Sequence, residues 1–234
     1  MIDFSPLIIL AGALALGMAH AFEVDHMTAV STFVAQRPSP KQAALFGIKW
    51  SVGYGTSLLV FGSILYGLKL TLSEQVAHGL ERLVGLALLA LGCWTLSRLK
   101  YSFASHTHGH SHTAGQPQAG VDGEGKIAIH THADGTKHAH SHTHGSLLMG
   151  VLHGAAGTAA FVGETIVAVS QTYMNVVAFT LAFSIGVLVA MGAYAGVLGG
   201  LISWGERRGT LILHGVRGLT GVWACCVGLY WILR

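Results

Sequence analysis

The sequence predicts an all-α polytopic membrane protein, with six transmembrane helices arranged as two inverted three-helix repeats. Three observations predict it. Of the 234 residues, 52% are hydrophobic and only 10% charged, where a soluble domain carries about a quarter charged residues, and the mean hydropathy is +0.57. Six stretches come near the roughly 20 apolar residues that a membrane-spanning helix needs. Short matches then recur between the two halves at one offset.

The expected spans are about 6-34, 43-67, 80-99, 147-171, 175-203 and 210-233. In the first, "AGALALGMAHAF" ends in an Ala-x-Ala that resembles a leader-peptidase site, but "MIDFSP" before it has no Lys or Arg. The segment therefore reads as a retained span rather than a leader. The second span holds "KWSVGYGTSLL", in which Gly53 and Gly55 permit close helix approach and Ser51 and Tyr54 are candidates to line a pathway. The third carries Cys93, and the last Cys225 and Cys226, which read as small apolar residues with no disulfide implied. Glu164, eleven residues after His153 on the same helical face, is another pathway candidate in the fourth span. His78 and His214, near loop edges, read as interfacial residues.

"LGMAHAF" around His20 parallels "MGVLHGA" around His153, and "WSVG" from Trp50 parallels "FSIG" from Phe183, both pairs offset by 133 positions. A third echo, "GLALLALGCW" from Gly85 against "GVWACCVGLY" from Gly221, requires a small insertion. Three spans per repeat is an odd number, so the second half must be inverted, an architecture that places substrate near the bilayer midplane between the halves. The expected organisation is residues 1-101 as one repeat, 102-145 as a loop and 146-234 as the second repeat.

Arg37, Lys41, Arg98, Lys100, Lys126, Lys137, Arg207 and Arg208 fall in the odd-numbered loops, against Lys69, Arg82 and Arg234 on the other side. This bias puts both termini outside and the long loop in the cytoplasm. The pI near 8.8 comes from few charges in all. No basic stripe with interleaved aromatics is present, so nucleic acid is not an expected partner.

The first span contains "HAFEVDH". On a regular helix His20, Glu23 and His26 share one side while Asp25 points elsewhere, so convergence of His20 and Asp25 on one ion requires the helix to unwind between Phe22 and Asp25. Burying a carboxylate and two imidazoles in hydrocarbon costs several kcal/mol unless they are paired or coordinated. Imidazole nitrogen with carboxylate oxygen suits divalent first-row metals, and geometry selects among them. The repeat places His153 in the position equivalent to His20, so His20, Glu23, Asp25, His26 and His153 are the expected metal site. Solvation of Asp25 and His26 at a span end is the competing reading.

The loop carries ten of the fifteen histidines: His106, His108, His110, His112, His130, His132, His138, His140, His142 and His144. They alternate with small residues, and alternate side chains of an extended chain share one face, which points to binding of a borderline metal. The low-complexity stretch between the clusters reads as disordered without metal.

The His20–His26 stretch resembles the H-x4-D-H signature of the nickel/cobalt transporter family, with Glu23 where the family has its first aspartate. "GIKWSVGYGTSLL" is similar to that family's second motif, with Tyr54 in the place of its histidine. "GVLHGAAGTAAF" and "ERLVGLALLALG" look like segments of its six-span hydrogenase and urease accessory permeases. The resemblance implies a bacterial inner-membrane permease for Ni²⁺ or Co²⁺ as transported substrate, with no organic cofactor. It also implies a metallochaperone or metalloenzyme maturation factor as cytoplasmic partner, beside the ion and the lipid bilayer.

The expected function is thus secondary transport rather than catalysis, with its direction open, since cytoplasmic histidine-rich loops also occur in efflux relatives. No P-loop appears. A membrane-embedded metalloenzyme would use the same donors with a metal-bound water, but gives no reason for the repeat. A metal-storage or sensing accessory protein would depend on the loop alone.

Overall fold

The computed structural model describes residues 5–36, 39–69, 73–104, 128–131, 137–140, 144–155 and 172–234. Among these, the helices are α1 (Ser5–His20), α2 (Val24–Val34), α3 (Pro40–Leu68), α4 (Glu74–Ala104), α5 (His144–Ala155), α6 (Tyr173–Glu206) and α7 (Thr210–Leu233). Four of them, α3, α4, α6 and α7, are each long and apolar enough to cross a membrane, and the α1–α2 pair makes a fifth if counted as one span. The fourth expected span, 147-171, is described only as far as Ala155, in α5.

Large apolar side chains point outward along these helices, among them Leu211 at 79% and Leu219 at 72% exposure. Such a surface is too apolar to face water and suits lipid. The protein is an integral membrane protein.

The first span is not one rod. Its helix stops at His20 and resumes at Val24 with a bend of 57°. The break keeps its backbone satisfied, because the N–H groups of Ala21, Phe22 and Glu23 donate to the carbonyls of Gly17, Ala19 and His20. Such local closure is what permits a broken helix in a membrane. Elsewhere the ends are conventional: Pro40 opens α3, Lys69 closes it in the left-handed conformation, and the Thr172 hydroxyl accepts from the Asn175 N–H at the start of α6.

Packing brings together helices that are distant in sequence. α1 lies on α6, α3 lies between α5 and α6, and α4 lies on α7, while the bent α2 reaches across to α7 and α4. The contacts are backbone to backbone where glycine allows. A Cβ at Gly17 would overlap the Phe183 carbonyl, and one at Gly150 would overlap the Trp50 carbonyl. Gly186 meets Leu14 and Gly53 meets Leu147 in the same way. Within each of these two sets the corresponding residues stand 133 positions apart. On the other pair of helices, Gly85 touches Gly228 and Gly92 touches Gly221.

The main core, with Trp50, Tyr54, Leu58, Phe183 and Met191 fully buried, sits where α1, α3, α5 and α6 meet. In the segment expected to lack structure, Ala128–Thr131 (β1) pairs antiparallel with Lys137–His140 (β2), which sets His130 opposite His138. Backbone pairing between the two four-residue segments gives them this structure.

Candidate metal centre

The helix break creates the site. His20 is the last residue of α1, Glu23 is the extended residue that precedes α2, and Asp25 and His26 occupy the first turn of α2. Had the helix continued, Asp25 would have turned away. Instead the bend brings it beneath His26 and toward His153 on α5. The carboxylates of Glu23 and Asp25 sit at the N-terminal end of α2, where the helix dipole favours negative charge, and His20 sits at the carbonyl end of α1.

His20 Nδ1 donates to Glu23 Oε1 at 2.7 Å, and the Tyr54 hydroxyl donates to His20 Nε2 at 2.6 Å. Both contacts are satisfied by the neutral Nδ1–H tautomer. His26 Nδ1 donates to Asp25 Oδ1 at 3.1 Å, leaving His26 Nε2 buried and without a hydrogen-bond partner. A carboxylate on one imidazole nitrogen fixes the tautomer and turns the other lone pair toward a metal. His153 Nε2 stands 3.6 Å from Asp25 Oδ2, beyond hydrogen-bond reach.

Two donor sets result, His20–Glu23–His26 and Asp25–His26–His153, and within each the ligand atoms lie within 4.8 Å of one another. His26 belongs to both. All of these side chains are buried except Glu23, which is 41% exposed.

Aromatic rings wall the site. The Trp50 ring lies 4.9 Å from His26 and 5.6 Å from His153, and Phe183 lies 5.3 Å from His20. Trp50 stacks on Tyr54 at an interplanar angle of 13°. In the sequence Trp50 and Phe183 stand out only as repeat markers, and the signal that ties them to the site is the 133-position offset they share with His20 and His153.

The five expected ligands come together, and Tyr54 joins them. Ser51 is buried nearby, but its hydroxyl donates to the Gly47 carbonyl of its own helix at 2.9 Å. Glu164 lies outside the described residues, as do His106, His108, His110, His112, His132 and His142. His130, His138 and His140 lie in the β ribbon, and His144 opens α5. Cys93, Cys225 and Cys226 are free thiols, with Cys93 Sγ and Cys225 Sγ 3.9 Å apart.

Fold and site together define a class, a polytopic helical membrane protein with a buried histidine–carboxylate cluster at a broken helix. The chain is 31% identical over 185 residues to the urease accessory protein UreH of Bacillus sp. (strain TB-90), a match covering 79% of this chain and 73% of that protein. It belongs with UreH to the nickel/cobalt permease family. No family model and no solved structure matches the chain.

Proposed function

We propose that the protein is a secondary permease that carries a divalent first-row metal, Ni²⁺ or Co²⁺, across the membrane. The observation that carries this reading is the sharing of His26 between two compact, largely buried donor sets. A single rigid site needs one set; two sets with a common ligand offer successive stations for an ion. The ion loses water against Glu23, His20 and His26, then passes to Asp25 and His153 while His26 remains coordinated. Nitrogen and oxygen donors match borderline dications, and the dication offsets the cost of burying Asp25.

The architecture in this proposal has six spans, in two inverted repeats, residues 1-101 and 146-234, joined by 102-145. The paired close approaches of Gly17 with Phe183 and Gly150 with Trp50, at the repeat offset, support it. So does the mutual packing of α3 with α6 and of α4 with α7, each helix against its expected counterpart. In this reading the termini lie outside, and the loop histidines collect metal at the cytoplasmic mouth and pass it to a metalloenzyme maturation factor. The accessory role in the name of UreH is in keeping with that.

The test is radiolabelled nickel and cobalt flux in proteoliposomes for the parent and for His26→Ala. The proposal expects flux in the parent and its loss in the variant. Zinc-only flux, or equal flux in both proteins, overturns it.

A further inference from the structure

A cavity of about 560 Å³ opens beside the metal centre between α2 and α7, lined by Glu23, Asp25, Trp223, Cys226, Tyr230 and Arg234 among others. It runs from Glu23 and Asp25 along α7 to Arg234, and the twelve residues from Trp223 to Arg234 span about 16 Å of helix.

On the other side of the carboxylates, α2 and α7 are pinned together. Arg217 Nε donates to the Ala35 carbonyl at 3.0 Å, and Thr32, whose hydroxyl donates to the Thr28 carbonyl of its own helix at 2.7 Å, stands with Oγ1 3.4 Å from the Thr220 carbonyl. The two helices therefore run antiparallel, clasped at the Ala35 end and separated at the Glu23 end. Ser31 Oγ and Tyr194 OH, 2.6 Å apart, tie the clasped end to α6 as well.

Glu23 stands where this groove meets the site. Its side chain is 41% exposed, while His20 behind it is 3% exposed. A half-exposed carboxylate is costly against lipid, so the Glu23 end of the groove suits water and a hydrated cation, while Val24, Trp223, Val227, Tyr230 and Trp231 make most of its wall apolar. The buried, unpartnered His26 Nε2 and both nitrogens of His153 lie beyond Glu23 and Asp25.

We infer that the α2–α7 groove is a one-sided aqueous vestibule, through which a hydrated divalent cation reaches the metal centre from the face where α7 ends, with Glu23 as its first ligand. This rests on the permease reading and adds the route and the first contact. Closure of the Tyr230 end and opening of the Arg217–Ala35 clasp would then expose the site to the opposite face.

Cys226 lies in the groove wall and serves as a native reporter. The full chain with a C-terminal epitope is reconstituted in vesicles and treated from each face with a charged, bilayer-impermeant methanethiosulfonate, and modified cysteines are located by mass spectrometry. The expected result is modification that is lost in Cys226→Ala and occurs only from the face that carries the epitope. With Ni²⁺ at about ten times its half-saturating concentration, the rate should fall about tenfold, the fraction of protein left free. Glu23→Gln should weaken that protection. Modification only from the opposite face, or only by a membrane-permeant maleimide, overturns the vestibule. Nickel flux in the same vesicles separates the two ideas: flux with an unreactive Cys226 refutes the route alone, and a nickel-protected Cys226 without flux refutes the permease alone.

Discussion

Replacing Asp25 with asparagine tests the metal centre most directly. Asp25 is 3% exposed, and it is the only carboxylate among the described residues that is both buried and part of a donor set. In the proposed site a dication shared by Asp25, His26 and His153, whose ligand atoms lie within 4.8 Å of one another, would stand no farther than that from the Asp25 oxygen. At an effective dielectric constant of about 20, Coulomb's law gives roughly 7 kcal/mol for that attraction. Asparagine still offers an oxygen to His26 Nδ1, so the local geometry survives while the charge goes. If the amide dipole and remaining donors retain somewhat over half of the attraction, about 2.7 kcal/mol is lost, a factor of about 100 in rate. The assay is the initial rate of radiolabelled nickel flux in proteoliposomes at subsaturating nickel. Thermal unfolding of the metal-free variant separates a folding defect from a lost ligand, because asparagine keeps an oxygen for His26 Nδ1 while the charge that the imidazole and the helix dipole favour is lost. A rate within about threefold of the parent, a difference under about 0.7 kcal/mol, would refute the assignment of Asp25 as a ligand.

Gly17→Ala and Gly150→Ala should each lower stability by about 1–3 kcal/mol, the usual cost of overpacking, because each added methyl meets a backbone carbonyl. Gly12→Ala, with nothing within 4 Å, should not, and thermal unfolding in detergent distinguishes them. Tyr54→Phe removes the donor to His20 Nε2 and leaves a buried acceptor unpaired, costing about 1–3 kcal/mol without metal. Nickel occupying that nitrogen restores a partner, so the nickel-induced rise in Tm should be larger in Tyr54→Phe than in the parent. An unchanged rise would show that this nitrogen does not meet the ion. Deleting residues 105-145 should leave most of the nickel flux at saturating metal, whereas loss of flux would shift the function to the loop.

Membrane class was legible because it depends on composition over about twenty residues at a time, and the hydrophobic effect does not ask which neighbour covers a side chain. Helices α3, α6 and α7 accordingly fall close to the expected spans 43-67, 175-203 and 210-233, while α4 runs well past both ends of 80-99. The candidate site was legible for a related reason: His20, Asp25 and His26 are costly in hydrocarbon without compensation. Even the need for a break, expected between Phe22 and Asp25, followed from helix periodicity, and the structure has it at Ala21 to Glu23. Its 57° bend did not follow.

Tertiary structure alone decided which groups meet. Nothing local ties Tyr54 to His20, and the contact exists because glycine-lined faces let α1, α3, α5 and α6 approach at backbone distance. The same close packing walls the site with Trp50 and Phe183 and delivers His153 from more than a hundred residues away. The groove along α7 likewise depends on where α2 leans after its bend. Sequence by itself determined what kind of solvent surrounds the chain and which side chains need compensation there, because both are sums over local chemistry. Long-range packing determined who compensates whom, because that depends on the angles at which helices far apart in the chain come to rest.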